Sequence, residues 1–220
     1  MANTAAYNGF QQYSGTGSAP TYEQVAVQIA YNASAIFYGD PVNPDANGYV
    51  VVGVTTGASA NTQIAGIFVG CQYLSVSQKR TVWSNYWPGS DVASGNVVTG
   101  YIINDPNAKF IVQAGSTAVG IADIGVNIGV AYGTGTGTNT NTLGTTPGNV
   151  STGLSTAYAD STSVMGTAAT YPFRIVGLAN YAPDGSNPLQ SIPGNDYTAA
   201  YNRIIVSFNN TAMKSGVLGT

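Results

Sequence analysis

Apolar residues in this chain recur at every second position, in short runs separated by Gly, Pro, Asn and Asp. That period is the mark of strands with one face buried. Over residues 22–30, Val25, Val27 and Ile29 fall on one face, and Gln24, Ala26 and Gln28 on the other. Ile36-Phe37-Tyr38 follows and stops at Gly39-Asp40-Pro41. The cluster Pro44-Asp45-Ala46-Asn47-Gly48 reads as a turn of the Asn-Gly type. Residues 49–54 and 64–74 are strong strands, the second with Gly66 and Gly70 inside it, where glycine marks a bend or a close backbone approach. Residues 97–103 and 109–113 are predicted as a hairpin-like pair around the turn Asn104-Asp105-Pro106-Asn107. Residues 121–132 read as one strand with Ile124, Val126, Ile128 and Val130 inward, and 173–178 and 201–208 as the last two.

About nine strands result, joined by long loops, with almost no helical periodicity. The expected fold is all-β, a sandwich or barrel. Residues 1–21 are polar and rich in Gly and Ser, and read as an extended N-terminal arm without a core of its own. Residues 22–220 read as a single β-rich domain. Within it, 133–149 is a low-complexity loop of Gly, Thr and Asn. Residues 75–96 read as a long connection. Residues 152–170 show few strand signals, with a short helical turn expected near Ala157 to Asp160.

Composition narrows the function. Only 7% of the 220 residues are charged, with 6 Lys and Arg against 9 Asp and Glu, so the net charge is -3. An ordinary domain carries about 25% charged residues. Hydrophobic residues still make up 44%, enough for a core. The absence of histidine removes His-based triads and His metal sites. The single cysteine, Cys71, removes internal disulfides and Cys-ligated clusters, and in its apolar run reads as an inert core residue. Six dispersed basic residues cannot form a phosphate-binding stripe, so no nucleic-acid partner is expected. No apolar run approaches a membrane helix, and the first residues show no signal-peptide pattern. No membrane partner is therefore expected.

Candidate chemistry is sparse. Asp40, Asp105 and Asp184 sit in turn sequences, where Asp accepts backbone hydrogen bonds. A carboxylate pair could come from distant strands, since its spacing is not written in the sequence. Asp45-Ala46-Asn47-Gly48 lacks the downstream Glu of a calcium loop. Gly133-Thr134-Gly135-Thr136-Gly137 lacks the Lys and the helix of a phosphate loop. No catalytic residue, cofactor site or metal site is assigned. The aromatic cluster Trp83, Tyr86 and Trp87 admits two readings: a sugar-stacking platform, or a loop folded back over one end of the core.

Several phrases nevertheless form an ordered series. They are Ile36-Phe-Tyr-Gly-Asp-Pro-Val42, Gly66-Ile-Phe-Val-Gly-Cys-Gln-Tyr73, Tyr86-Trp87-Pro88 and Asp105-Pro-Asn-Ala-Lys-Phe-Ile-Val-Gln113. Thr152-Gly-Leu-Ser155, Arg174-Ile-Val-Gly-Leu178 and Arg203-Ile-Ile-Val-Ser-Phe-Asn-Asn210 complete it. This order, over residues 30–210, resembles the decoration (cement) proteins of tailed-bacteriophage heads. The resemblance implies a non-enzymatic β-rich protein on the outer surface of the virion capsid, assembled in the host cytoplasm. It would bridge neighbouring subunits of the major capsid protein, as a homo-oligomer (trimer or dimer) at local symmetry axes. Tyr7, Phe10 and Tyr13 of the arm, with Tyr22 just after it, are then the candidate capsid contacts. The other reading is a virion-displayed carbohydrate-binding or host-attachment module using Trp83, Tyr86 and Trp87.

Overall fold

A computed structural model describes residues 3–14, 24–53, 63–135, 148–179 and 196–212. The expected all-β class holds: the strands form three antiparallel sheets, sandwich-like and without a closed barrel. The strands are Gln11–Ser14 (β1), Val25–Ala30 (β2), Pro41–Pro44 (β3), Val50–Val52 (β4), Gly66–Leu74 (β5), Thr81–Ser84 (β6) and Val97–Ile103 (β7). They continue with Lys109–Gln113 (β8), Asn127–Tyr132 (β9), Gly148–Asn149 (β10), Leu154–Ser155 (β11), Ala157–Gly166 (β12), Phe173–Leu178 (β13) and Arg203–Phe208 (β14). One sheet runs β1-β8-β14-β13-β9-β12, and the other β2-β7-β5-β3-β4. β6 pairs with the far half of β5, and β10 with β11. A parallel bridge between Ala114 and Ala159 brings the end of β8 to β12, so the first sheet curls back on itself.

The pleat sets the core. In β8, Phe110 and Val112 point inward; in β14, Ile204, Val206 and Phe208 do. With Phe10 and Phe173 they build an aromatic centre: Phe10 stacks on Phe173 with ring centroids 4.4 Å apart, and Phe110 meets Phe208 edge-on at 5.0 Å. A second cluster forms on the inner face of the other sheet around Ile29, Phe68, Cys71, Val98 and Trp87. In β5 the register shifts between Phe68 and Gly70, so both Phe68 and Cys71 stay buried. Gly70 has φ +146°, and a Cβ there would come 2.9 Å from the Ser84 carbonyl oxygen, so the bulge requires glycine.

Several expectations change. Residues 97–103 and 109–113 are not a hairpin pair: β7 lies between β2 and β5, and β8 between β1 and β14 in the other sheet. The turn at Asp105, where its Oδ1 accepts the Asn107 N–H at 2.9 Å, carries the chain between sheets. Residues 121–126 are not strand. Ile121–Asp123 is a 3-10 turn, and pairing starts at Asn127. The helical turn expected at 157–160 is instead the start of β12, the longest strand, where Ala157 and Ala159 are the small inward residues. Residues 36–38 make isolated bridges rather than a strand, and the connection 75–96 contains β6.

Residues 3–14 are fastened to the domain and supply part of its core. Asn3 donates to the Asp196 and Ala200 carbonyls at 2.7 and 3.0 Å. Gln113 accepts the Ala6 N–H at 2.8 Å and donates to the Thr4 carbonyl at 2.9 Å. β1 then pairs with β8. Residues 15–21 of the predicted arm and 136–147 of the low-complexity loop lie outside the described residues.

Candidate functional site

The predicted aromatic cluster does not form one surface. Trp87 is 0% exposed, donates its indole N–H to the Ala33 carbonyl at 3.1 Å, and meets Tyr73 edge-on at 5.3 Å. Its backbone bridges Ile36. Tyr86 is half-buried and stacks on Phe37 at 5.3 Å. Trp83, on β6, is 67% exposed. Thus the folded-back reading describes Trp87 and Tyr86, and only Trp83 remains as a surface ring.

Trp83 is not isolated. It stacks on Tyr101 with ring centroids 5.6 Å apart and planes 14° from parallel. The strand registers place both on the outer face of one sheet. Across that face run Thr81 and Leu74, then Val97 and Ala30. The next row is Trp83, Gln72, Thr99 and Gln28, and beside it Tyr101 and Ala26. Leu74 and Val97 are exposed, as are Thr81, Ala26 and Gln28. None of these ten positions is charged. A groove of about 320 Å³ lies at the Trp83 end, lined by Gln24, Gly70, Trp83, Ser84, Asn85 and Tyr101. Tyr101, Gln72 and Thr99 were not singled out from the sequence. The outward alternation Val97, Thr99, Tyr101 in β7 is the signal that marks them.

The four predicted contact residues separate. Phe10 is 1% exposed and belongs to the core, because the socket between Gly39 and Phe173 encloses it; it is not available as a capsid contact. Tyr7 stacks on Tyr158 at 4.2 Å and meets Tyr201 edge-on at 6.4 Å. Burial, then the neighbouring phenols, push its hydroxyl up to about 12. Tyr13 is 51% exposed. Tyr22 lies outside the described residues.

The acids serve turns and a buried junction. Asp45 Oδ1 accepts the Asn47 and Tyr49 N–H groups at 2.8 and 2.9 Å. Asp40 is fully buried, and that burial pushes its carboxyl up to about 7 against the opposing pull of hydrogen bonds from Ser155 and the Phe37 N–H. Asp184 lies outside the described residues. Cys71 is buried, its thiol pushed up to about 12 by burial, and its Sγ lies 3.4 Å from the Tyr86 carbonyl oxygen. A thiol so held is a poor nucleophile.

The arrangement can bind but offers no paired acid and base at the Trp83 face. A stacked Trp and Tyr with neutral amides and hydroxyls favours contact with an uncharged or weakly charged partner surface. No protein-family model matches the chain, and no curated protein or solved structure matches it either.

Proposed function

We propose that the chain is a non-enzymatic structural virion protein. It decorates the capsid and stabilises it by bridging neighbouring major capsid protein subunits, as a homo-oligomer on the outer surface. The observation that carries this reading is the uncharged outer face of β6, β5, β7 and β2, with Trp83, Leu74 and Val97 exposed on it. Docking such a face strips water from Thr, Gln, Ala and Val rather than from charges, so less desolvation opposes contact than at a charged face. Tyr and Trp are the residues that most often dominate binding energy at such centres. Repeated copies on a shell multiply weak contacts. The resemblance of the chain's phrases to head decoration proteins points the same way.

The test is co-sedimentation with shells of the cognate major capsid protein. Gln72→Glu keeps the side-chain size and adds one charge to the centre of the face. We expect it to weaken shell association at least about tenfold, or about 1.4 kcal/mol, with the fold intact. Unchanged association would remove this face from the docking surface.

A second reading, a virion-displayed carbohydrate-binding module, is favoured by the Trp83–Tyr101 stack at the neutral groove. Its site differs from the predicted cluster, since Trp87 is core. Glycan binding that is lost in Trp83→Ala while shell binding persists would select it.

A further inference from the structure

Several stretches of chain meet at one buried carboxyl. Asp40 Oδ1 accepts the Ser155 hydroxyl, and Oδ2 accepts the Phe37 N–H at 2.7 Å. The Asp40 carbonyl accepts the Phe68 N–H of β5 at 2.9 Å. Gly39, just before it, accepts the Phe10 N–H at 3.0 Å and donates to the Phe68 carbonyl at 2.8 Å. Ser155 donates its N–H to the Tyr38 carbonyl at 2.9 Å, and its Oγ accepts the Ala157 N–H at 2.9 Å.

Gly9 closes the junction from the N-terminal side. A Cβ on Gly9 would come 2.8 Å from Ser155 Cβ and 3.0 Å from Gly39 Cα. The carboxyl is therefore one residue removed from the place where Gly9 and Phe10 enter the core: it holds the Ser155 hydroxyl, whose Cβ abuts Gly9, and it follows Gly39, whose carbonyl holds the Phe10 N–H. The ionisable group its charge reaches is the Tyr132 phenol of β9, whose hydroxyl is buried and has no hydrogen-bond partner among the described residues. The charge of Asp40 disfavours ionisation of Tyr132. No Lys or Arg acts on Asp40 among the described residues. A negative charge here is compensated only by one hydroxyl and one N–H.

We propose that Asp40 is a protonation-controlled latch on the N-terminal segment: the neutral carboxyl keeps Gly9 and Phe10 seated, and its ionisation opens that junction. Opening exposes the edge of β8 and the socket of Phe10. The direction follows from linkage. A carboxyl raised in the closed state to about 7, from an ordinary 3.8, favours closure fully below about pH 4. That preference is lost as pH rises to about 7 and changes little above it. The inference does not rest on the shell reading, and its test uses the free protein.

The experiment follows amide hydrogen exchange of Phe10, whose N–H is held by Gly39, as protection factors corrected for intrinsic exchange. Protection should fall by up to about tenfold per pH unit between about pH 4 and 7, then level off. In Asp40→Asn the slope should vanish. A flat profile in the native protein, or the same slope in Asp40→Asn, overturns the latch. If that variant does not fold, carboxyl carbon NMR of the native protein decides. An Asp40 midpoint near 7, moving with Phe10 protection, supports the proposal, and a midpoint in the ordinary carboxylate range overturns it.

Discussion

The N-terminal segment and the outer face of β6, β5, β7 and β2 are both charge-poor stretches that carry aromatic residues, yet they use them in opposite ways. Phe10 goes inward to 1% exposure, whereas Trp83 stays 67% exposed. The difference lies in what each ring meets. Phe10 is carried into a socket prepared by Gly39, where the two backbones touch and Phe173 lies beneath the ring. Trp83 sits at an outward position of a paired strand, and its neighbours Gln72, Thr99 and Tyr101 form a neutral outer surface rather than a socket. Hydrophobicity alone does not send a side chain inside; the backbone around it does.

The comparison breaks most sharply at Phe10. Phe10→Ala should cost about 3–5 kcal/mol of stability, because the socket cannot collapse around the missing ring. Denaturant unfolding measures it, and a cost below about 1 kcal/mol would mean the segment is not part of the core. Gly39→Ala should cost about 1–3 kcal/mol from its φ of +87° alone, with further loss because the new Cβ would lie 2.8 Å from the Phe10 nitrogen. Its signature is raised protease sensitivity confined to the N-terminal segment. Trp83→Ala should change stability by no more than about 0.5 kcal/mol while weakening association with shells. A large loss of stability in that variant would make Trp83 a structural residue and erase the contrast.

How much of this was legible beforehand depends on where each residue's partner lies. β8 and β14 were legible because Phe110, Val112, Ile204, Val206 and Phe208 alternate within their own strands. β12 was not, because Ala157, Ala159 and Asp160 have little strand preference; pairing with β9 holds them extended. The docking of the N-terminal segment was hidden for the same reason. Phe10 stands between Gly9 and Gln11, and its socket is built from Gly39 and Phe173, far along the chain. Trp83 and Trp87 lie four residues apart and look equivalent until the β5–β6 register turns one outward and the Ile36 bridge folds the other in. The neutral face was half legible: the strands that bear it were read, but which alternate residues faced outward together depended on their registers.

Hydroxyl-radical footprinting of the protein, free and bound to shells, reads the docking face directly. Trp83, Leu74 and Val97 should lose reactivity on the shell, while exposed Ile121, outside that face, keeps its own. Unchanged reactivity at Trp83 and Leu74 on a shell that has bound the protein would contradict that role for the face.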